Sequence, residues 1–284
     1  MRRKGNGPAA SHRKMKKRNS GRRGTIHAAR PTKLFAHWAE ISARLRKSHR
    51  IVLFCDFDGT LVRLQPRPGQ VRMNSRMRRA VERLARHPRV SFWIVSGRRV
   101  SELRRHVKSR GTRFLGLHGW ERDGPIPVSA QALRARLARA RIRASNAFAG
   151  IAGIWVEDKE FAFVVHYRGA PARSVRTASK QLALVRRQLR GEFRVLHGKK
   201  MWEFLPREIR GKGFAVKRKI AKLRPPALPI YVGDDTTDEP AFAALRRGIT
   251  VRVGDTRATH AAYCLRNPRE VRAFLERVER ELSR

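Results

Sequence analysis

The chain has 284 residues, 41% of them hydrophobic, and carries a formal charge of +45 at pH 7 from 67 Lys and Arg against 22 Asp and Glu. No apolar run approaches the roughly 20 residues needed to cross a bilayer, and no apolar segment follows the charged N-terminus, so neither a membrane span nor a secretory signal is visible and a cytoplasmic protein is expected. The two cysteines, Cys55 and Cys264, form no Cys-x-x-Cys or Cys/His cluster, which excludes a disulfide scaffold and structural zinc.

In chain order, residues 1–30 mix Arg, Lys, Gly, Ser and Asn with almost no large apolar side chain, and read as a disordered basic tail that cannot offset its ordering entropy by burial. From Lys33 to Lys47, Leu34, Phe35, Trp38, Ile41 and Leu45 recur at helical spacing and predict an amphipathic helix. The apolar run Ile51 to Cys55 predicts a strand covered on both faces. A helix at Ser75 to Arg86, a strand at Val90 to Val95, a helix near Val100 to Val107 and a strand at Phe114 to Leu117 follow. The alternation resumes with a helix at Gly213 to Leu223, the strand Leu228 to Val232, a helix near Asp238 to Arg246, the strand Ile249 to Val253 and a final helix from Pro268 to about Glu281. Such alternation predicts an α/β fold, a doubly wound Rossmann-like parallel sheet.

Between Pro125 and Pro206 the pattern changes. A helix at Ala130 to Ala147 precedes a hairpin of Ile154 to Glu157 with Phe161 to His166; a helix near Ser174 to Leu189 precedes strands at Phe193 to Leu196 and Met201 to Leu205. The order αββαββ predicts a small α+β cap inserted into the core. The expected division is therefore a tail at 1–30, a core at 31–124 and 207–284, and a cap at 125–206, with a substrate site between core and cap.

Chemistry concentrates where the predicted core strands end. Asp56-Phe57-Asp58-Gly59-Thr60 directly follows the first apolar strand, and ligands of doubly wound sheets bind at that end. Two acids so close need a cation or a shared proton to coexist. Bound Mg2+ would relieve their repulsion, and Gly59 would let a phosphate approach the backbone. Gly233-Asp234-Asp235-Thr236-Thr237-Asp238-Glu239 occupies the equivalent place after Leu228 to Val232. Either loop alone reads equally well as a solvated turn or a helix cap; two acid-rich loops at strand ends in so basic a chain point to a metal site. Ser96-Gly97-Arg98, at a third strand end, offers a hydroxyl and helix-start N–H groups as a phosphate cradle, although Ser-Gly is also an ordinary turn. Lys212 opens the helix that leads to the second acidic loop. Cys55 reads as a packed strand residue.

In this order the four pieces resemble the motifs of the haloacid dehalogenase-like phosphatases. The resemblance implies that Asp56 attacks phosphorus, forming an aspartyl-phosphate, and that Asp58 protonates the leaving oxygen and then activates water. It further implies that Ser96 holds a phosphoryl oxygen and that Lys212 neutralises charge. Mg2+ would be held by the Asp56 carboxylate, the Asp58 backbone carbonyl and Asp234, with Asp235 and Asp238 supporting them from behind. Over residues 33 to 280 the chain resembles trehalose-6-phosphate phosphatases more closely, in Gly-Asp-Asp-Thr-Thr-Asp-Glu at 233–239 and in His118-Gly119. In the cap, Trp155-Val156-Glu157-Asp158-Lys159, Val165-His166-Tyr167-Arg168 and Gly198-Lys199-Lys200-Met201-Trp202-Glu203 extend the likeness. It implies trehalose 6-phosphate as substrate, with Gly97, Arg98 and His118 among the substrate-binding residues and Glu157, Lys159, Arg168 and Glu203 on the sugar hydroxyls.

The basic tail departs from that family and would bind polyanions non-specifically at low salt. Trp120, where a smaller residue is common, would alter the mouth of the pocket. Another sugar phosphate such as sucrose 6-phosphate remains an alternative substrate, since only the cap distinguishes the sugars. A nucleic-acid-binding protein is the alternative of another class, although the tail has no aromatic stacking platform.

Overall fold

The computed structural model describes residues 1, 28–65, 71–122, 130–189, 191–198, 200–223, 227–255 and 257–284. Most of the basic tail, and the expected core-to-cap junction at 124–125, lie outside the described residues.

The core sheet runs in the order β1 (Thr32–Lys33), β12 (Tyr263–Leu265), β11 (Ile249–Val253), β10 (Leu228–Gly233), β2 (Ile51–Cys55), β3 (Val90–Val95), β4 (Arg113–Gly116) and β5 (Glu121–Arg122). Its central strands are β2 (Ile51–Cys55), β3 (Val90–Val95), β10 (Leu228–Gly233) and β11 (Ile249–Val253), all parallel. Strand alternation sends Ile51, Leu53, Phe92, Ile94, Ile230, Val232 and Val251 to one face. There they pack with α1 (Trp38–Lys47), α2 (Ser75–Arg86), α3 (Val100–Val107) and α8 (Pro268–Leu282). Val52, Phe54, Trp93, Val95 and Tyr231 point the other way, onto α6 (Lys212–Ile220) and α7 (Glu239–Ala244). Two-sided burial is the physical reason these strands read as unbroken apolar runs. Each fully buried Leu, Ile or Phe contributes about 1.5–3 kcal/mol relative to exposure. The helix starts are chemically marked: Asn74 accepts the Met77 N–H at 2.8 Å, and Asn267 accepts those of Arg269 and Glu270 ahead of α8.

The edges depart from the sequence expectation. The helix expected from Lys33 starts at Trp38; Thr32–Lys33 form β1, paired in parallel with β12 (Tyr263–Leu265), and Leu34–His37 make a 3-10 turn. At the other edge, β5 (Glu121–Arg122) runs antiparallel to β4 (Arg113–Gly116). These two- and three-residue strands are too short to show a period, and only pairing with a neighbour defines them.

The second sheet has the order β6-β7-β9-β8, all antiparallel, from Trp155–Asp158, Phe163–His166, Met201–Pro206 and Phe193–Gly198. One face, with Phe163, Val165, Trp202 and Phe204, packs on α4 (Ala130–Phe148) and α5 (Ala172–Gln188) through Leu137, Ala144, Ala178, Leu182 and Val185. The cross-strand partners Glu157, Val164 and Glu203 share the opposite face. The αββαββ order is thus realised. Among the described residues no helix is long and apolar enough to cross a membrane.

Candidate active site

Parallel strands β2 and β10 are neighbours, so the loops that leave their carboxyl ends converge. Asp56, immediately after β2, anchors its N–H on the Val232 carbonyl at 2.8 Å and is 5% exposed. Its Oδ1 accepts the Phe57 N–H at 2.8 Å and lies 2.9 Å from Lys212 Nζ. Gly59, at φ +82°, brings the backbone so close to Asp234 that a Cβ there would sit 2.1 Å from Asp234 Oδ2. The motif glycine is therefore required by the approach of the two acidic loops. Thr60 Oγ1 adds a 3.4 Å hydrogen bond to Asp234 Oδ1.

Lys212 stands at the first turn of α6, 3% exposed, and bridges Asp56 and Asp238, the latter at 2.8 Å. Asp238 is fully committed. Its Oδ1 also accepts the Tyr231 hydroxyl at 2.7 Å, and its Oδ2 accepts the backbone N–H groups of Asp234 and Asp235 at 3.0 and 2.9 Å. Asp235 caps the following 3-10 turn through the Thr236 N–H. Carboxylate oxygens of Asp56, Asp234 and Asp238 lie within 4.8 Å of one another. Burial pushes the Asp56 carboxyl well above its ordinary pKa; Lys212 opposes this, and Asp238 and Asp234 add to it. One buried ammonium for three buried carboxylates leaves excess negative charge, and an all-oxygen donor set suits a hard divalent cation. Asp56, Asp234 and Asp238 could together hold such a cation, although the Asp238 oxygens already accept hydrogen bonds from Lys212, Tyr231 and two backbone N–H groups.

Asp58 is clasped by one guanidinium in a bidentate pair: Arg98 Nε to Oδ2 at 2.6 Å and Nη2 to Oδ1 at 2.9 Å. Arg98 also bonds Glu102, one turn along α3. Ser96 is buried behind this wall, its Oγ accepting the Arg98 N–H at 3.1 Å. Cys55, beside Asp56, is wholly buried, and burial pushes its thiol up, which makes it inert.

A cavity of about 1010 Å³ opens above these groups. Asp56, Asp58, Gly97, Arg98, His118, Lys212, Asp234 and Asp235 reach it from the core; Glu157 and Glu203 reach it from strands of the second sheet, and Lys159 and Arg168 from just beyond the ends of two of its strands. Of the candidate catalytic, metal-holding and substrate-binding residues, all but Ser96 and Asp238 line the cavity. Trp120 does not line it; its ring packs on Phe161 at 5.2 Å between centroids.

The two layers meet at Glu203, which is 2% exposed. Its Oε2 lies 3.0 Å from His118 Nε2, and its Oε1 lies 3.4 Å from Lys159 Nζ. His118 is held for this contact by left-handed backbone, φ +54°. Burial works to raise the Glu203 pKa, but the charges and hydrogen bonds of Lys159 and His118 outweigh it and hold the carboxylate far below its ordinary range. A depressed folded-state value means that this contribution is present above the unfolded value of about 4.3 and is lost as pH falls through the folded one. Glu203→Gln is therefore expected to cost about 1–3 kcal/mol at pH 7, with the difference from wild type shrinking below about pH 4. Urea unfolding of both proteins at pH 7 and pH 3 measures it, and a difference independent of pH would remove the charged role of Glu203. At Glu157 burial likewise works upward, and the 2.8 Å hydrogen bond to His166 and the Lys159 charge reverse it, so that carboxyl also lies below its ordinary value.

Arg252 escaped the sequence reading although an arginine inside the apolar run Ile249 to Val253 was its signal. It is 0% exposed and donates to Asp255 at 3.0 Å, to Glu239 at 2.9 Å and to the Asp234 carbonyl at 3.2 Å. Glu239 in turn accepts from Thr259 and His260. The network ties the second acidic loop to β11, so the Asp234 backbone has little freedom to drift.

The family model described as trehalose-phosphatase matches residues 54–268. A trehalose 6-phosphate phosphatase of Zea mays is 31% identical over 259 residues, covering 82% of this chain and 70% of that protein. An uncharacterised glycosyl hydrolase of Mycobacterium tuberculosis is 36% identical over 258 residues; the match covers 84% of this chain and only 19% of the larger protein. Among solved structures, the C-terminal domain of a trehalose-6-phosphate phosphatase of C. albicans superposes with a TM-score of 0.75 at 22% identity, over 89% of this chain and 98% of that one.

Proposed function

The chain belongs to the trehalose-phosphatase family, and from that premise we propose that it is a Mg2+-dependent phosphatase that hydrolyses trehalose 6-phosphate to trehalose and phosphate. The observation that carries the reading is the meeting, around one cavity, of two kinds of group. Asp56, Asp58, Lys212 and Asp234 lie on the core side, and the hydroxyl-binding side chains Glu157, Lys159, Arg168 and Glu203 lie opposite.

Asp56 Oδ2 makes no hydrogen bond among the described residues, while Oδ1 is fixed by Lys212 and the Phe57 N–H, so one oxygen is oriented and the other is left to attack. Attack on phosphorus breaks the bond to the sugar oxygen, which takes a proton from Asp58. Water then enters with Asp58 as base, and hydrolysis of the acyl phosphate frees Asp56. Proton transfer requires Asp58 to leave the Arg98 clasp. A phosphoryl group presents the same forked acceptor geometry as a carboxylate, so its arrival gives the Arg98 guanidinium a replacement partner and couples substrate binding to release of the acid. Lys212 works against burial to favour the ionised form of the nucleophile, and Ser96, whose hydroxyl accepts the Arg98 N–H, braces the loop that brings Gly97 and Arg98 to the cavity wall. A Mg2+ ion held by Asp56, Asp234 and the Asp58 carbonyl would supply charge neutralisation at the phosphoryl oxygens.

The test is phosphate release from trehalose 6-phosphate, sucrose 6-phosphate and glucose 6-phosphate, with Mg2+ and with EDTA. Fast release from trehalose 6-phosphate, falling at least a hundredfold with EDTA, is the expected result on the scale of metal electrostatics, about 3 kcal/mol. Preference for another sugar phosphate would keep the chemistry and discard the sugar; no release from any would discard both.

A further inference from the structure

Among the described residues Trp155 is the one large aromatic side chain that lines the cavity, and it is 47% exposed. It stands on edge strand β6 two residues before Glu157, so the two side chains leave the sheet on the same face. The register places it directly opposite His166, and the rings stack with centroids 3.9 Å apart and planes 12° from parallel. His166 is itself fixed through Nε2 to Glu157 at 2.8 Å. Indole, imidazole and carboxylate thus form a braced chain. One face of the indole is covered by the imidazole, and its exposed surface borders a cavity that also holds Glu157, Arg168 and Met201.

An exposed tryptophan on a soluble surface carries a hydration penalty that packing would relieve, yet here it is held rigid rather than buried. Sugar rings need this combination: an apolar patch of C–H groups on one side, and hydroxyls around the rim that seek charged hydrogen-bond partners. We infer that Trp155 is a stacking platform for a pyranose ring and determines specificity for the sugar moiety, in particular the ring remote from the phosphoryl group. The inference rests on the phosphatase reading for its substrate, and it adds a residue whose contribution is to binding the sugar, not to the chemical step.

Because the side chain is exposed and its loss opens no core cavity, Trp155→Ala should fold; its thermal midpoint serves as control. Steady-state kinetics would compare trehalose 6-phosphate with acetyl phosphate, which carries the phosphoryl group but no ring. Trp155→Ala should raise KM for trehalose 6-phosphate about tenfold with kcat changed less than threefold, while KM for acetyl phosphate shifts far less; Trp155→Phe should recover most of the loss. Titration with free trehalose, followed by tryptophan fluorescence, should change the emission of wild type and lose that change in Trp155→Phe, because the other four tryptophans remain. Equal KM shifts for both substrates, or none, overturn the platform. If wild type hydrolyses acetyl phosphate but no sugar phosphate, the substrate reading falls by itself. The platform is then decided by the fluorescence titration with trehalose, sucrose and glucose, and silence with all three refutes it.

Discussion

Asp56→Asn is expected to abolish phosphate release, by at least about ten-thousandfold in kcat, or roughly 5.5 kcal/mol of lost transition-state stabilisation. The substitution keeps the shape of the side chain and replaces an oxygen nucleophile with an amide that cannot attack phosphorus. Folding should survive it: one of three crowded carboxylates becomes neutral, Lys212 keeps Asp238 at 2.8 Å, and the Asp56 carboxyl is in any case pushed upward in the protein by burial. Asp56→Asn should therefore unfold at a denaturant concentration no lower than wild type without added metal. Mass spectrometry of wild type quenched in acid during turnover should find a mass increase of one phosphoryl group on the peptide with Asp56, absent from Asp56→Asn. Residual turnover above a thousandth of wild type, or phosphorylation elsewhere, removes Asp56 as nucleophile.

Lys212→Met is expected to lose both activity and stability. Its ammonium is buried between Asp56 at 2.9 Å and Asp238 at 2.8 Å. Removing one partner of a buried ion pair leaves the other charges uncompensated, at a cost of about 3–5 kcal/mol. For a chain of this size that is a fall in Tm of roughly 10 °C. Activity should fall by about a hundredfold to a thousandfold, as for loss of one preorganised cationic contact. Burial works to lower the Lys212 pKa, but Asp238 and Asp56 outweigh it and hold it above the ordinary lysine value. A raised folded-state value means that the stabilisation is complete below the unfolded value of about 10.4 and is lost only as pH rises through the folded one. The Lys212→Met deficit should accordingly be flat between pH 6 and pH 9, unlike that of Glu203→Gln, which fades in acid. A deficit that varies across that window, or activity within threefold of wild type, contradicts the bridging role.

Much of this was legible in the chain itself. Continuous apolar runs such as Ile51 to Cys55 and Val90 to Val95 mark buried parallel strands because both of their faces are covered. The acids of the Asp56 and Asp234 loops announced themselves against a charge of +45. The helical period of Val271, Phe274, Leu275 and Val278 likewise located α8. All of these signals are local: periodicity and loop chemistry are written within a dozen residues and need no knowledge of what lies across the molecule.

Tertiary structure decided the rest. The pairing of Thr32 with Tyr263, 231 positions away, makes an edge strand that two residues cannot announce. Only the sheet order puts Gly59 against Asp234 and makes its lack of a Cβ necessary. The Arg98 clasp on Asp58, the Glu203 contact with His118 and the stacking of Trp155 on His166 each join side chains through register or through the meeting of two layers. Arg252 shows the limit most plainly: strand alternation fixes which face it takes, but only the neighbouring acidic loop explains how a guanidinium can be fully buried there. A sequence states which side chains carry charge and hydrogen-bonding capacity. Which of them satisfy one another is settled by long-range packing, because the cost of burying an unpaired charge is felt only once the fold has closed around it.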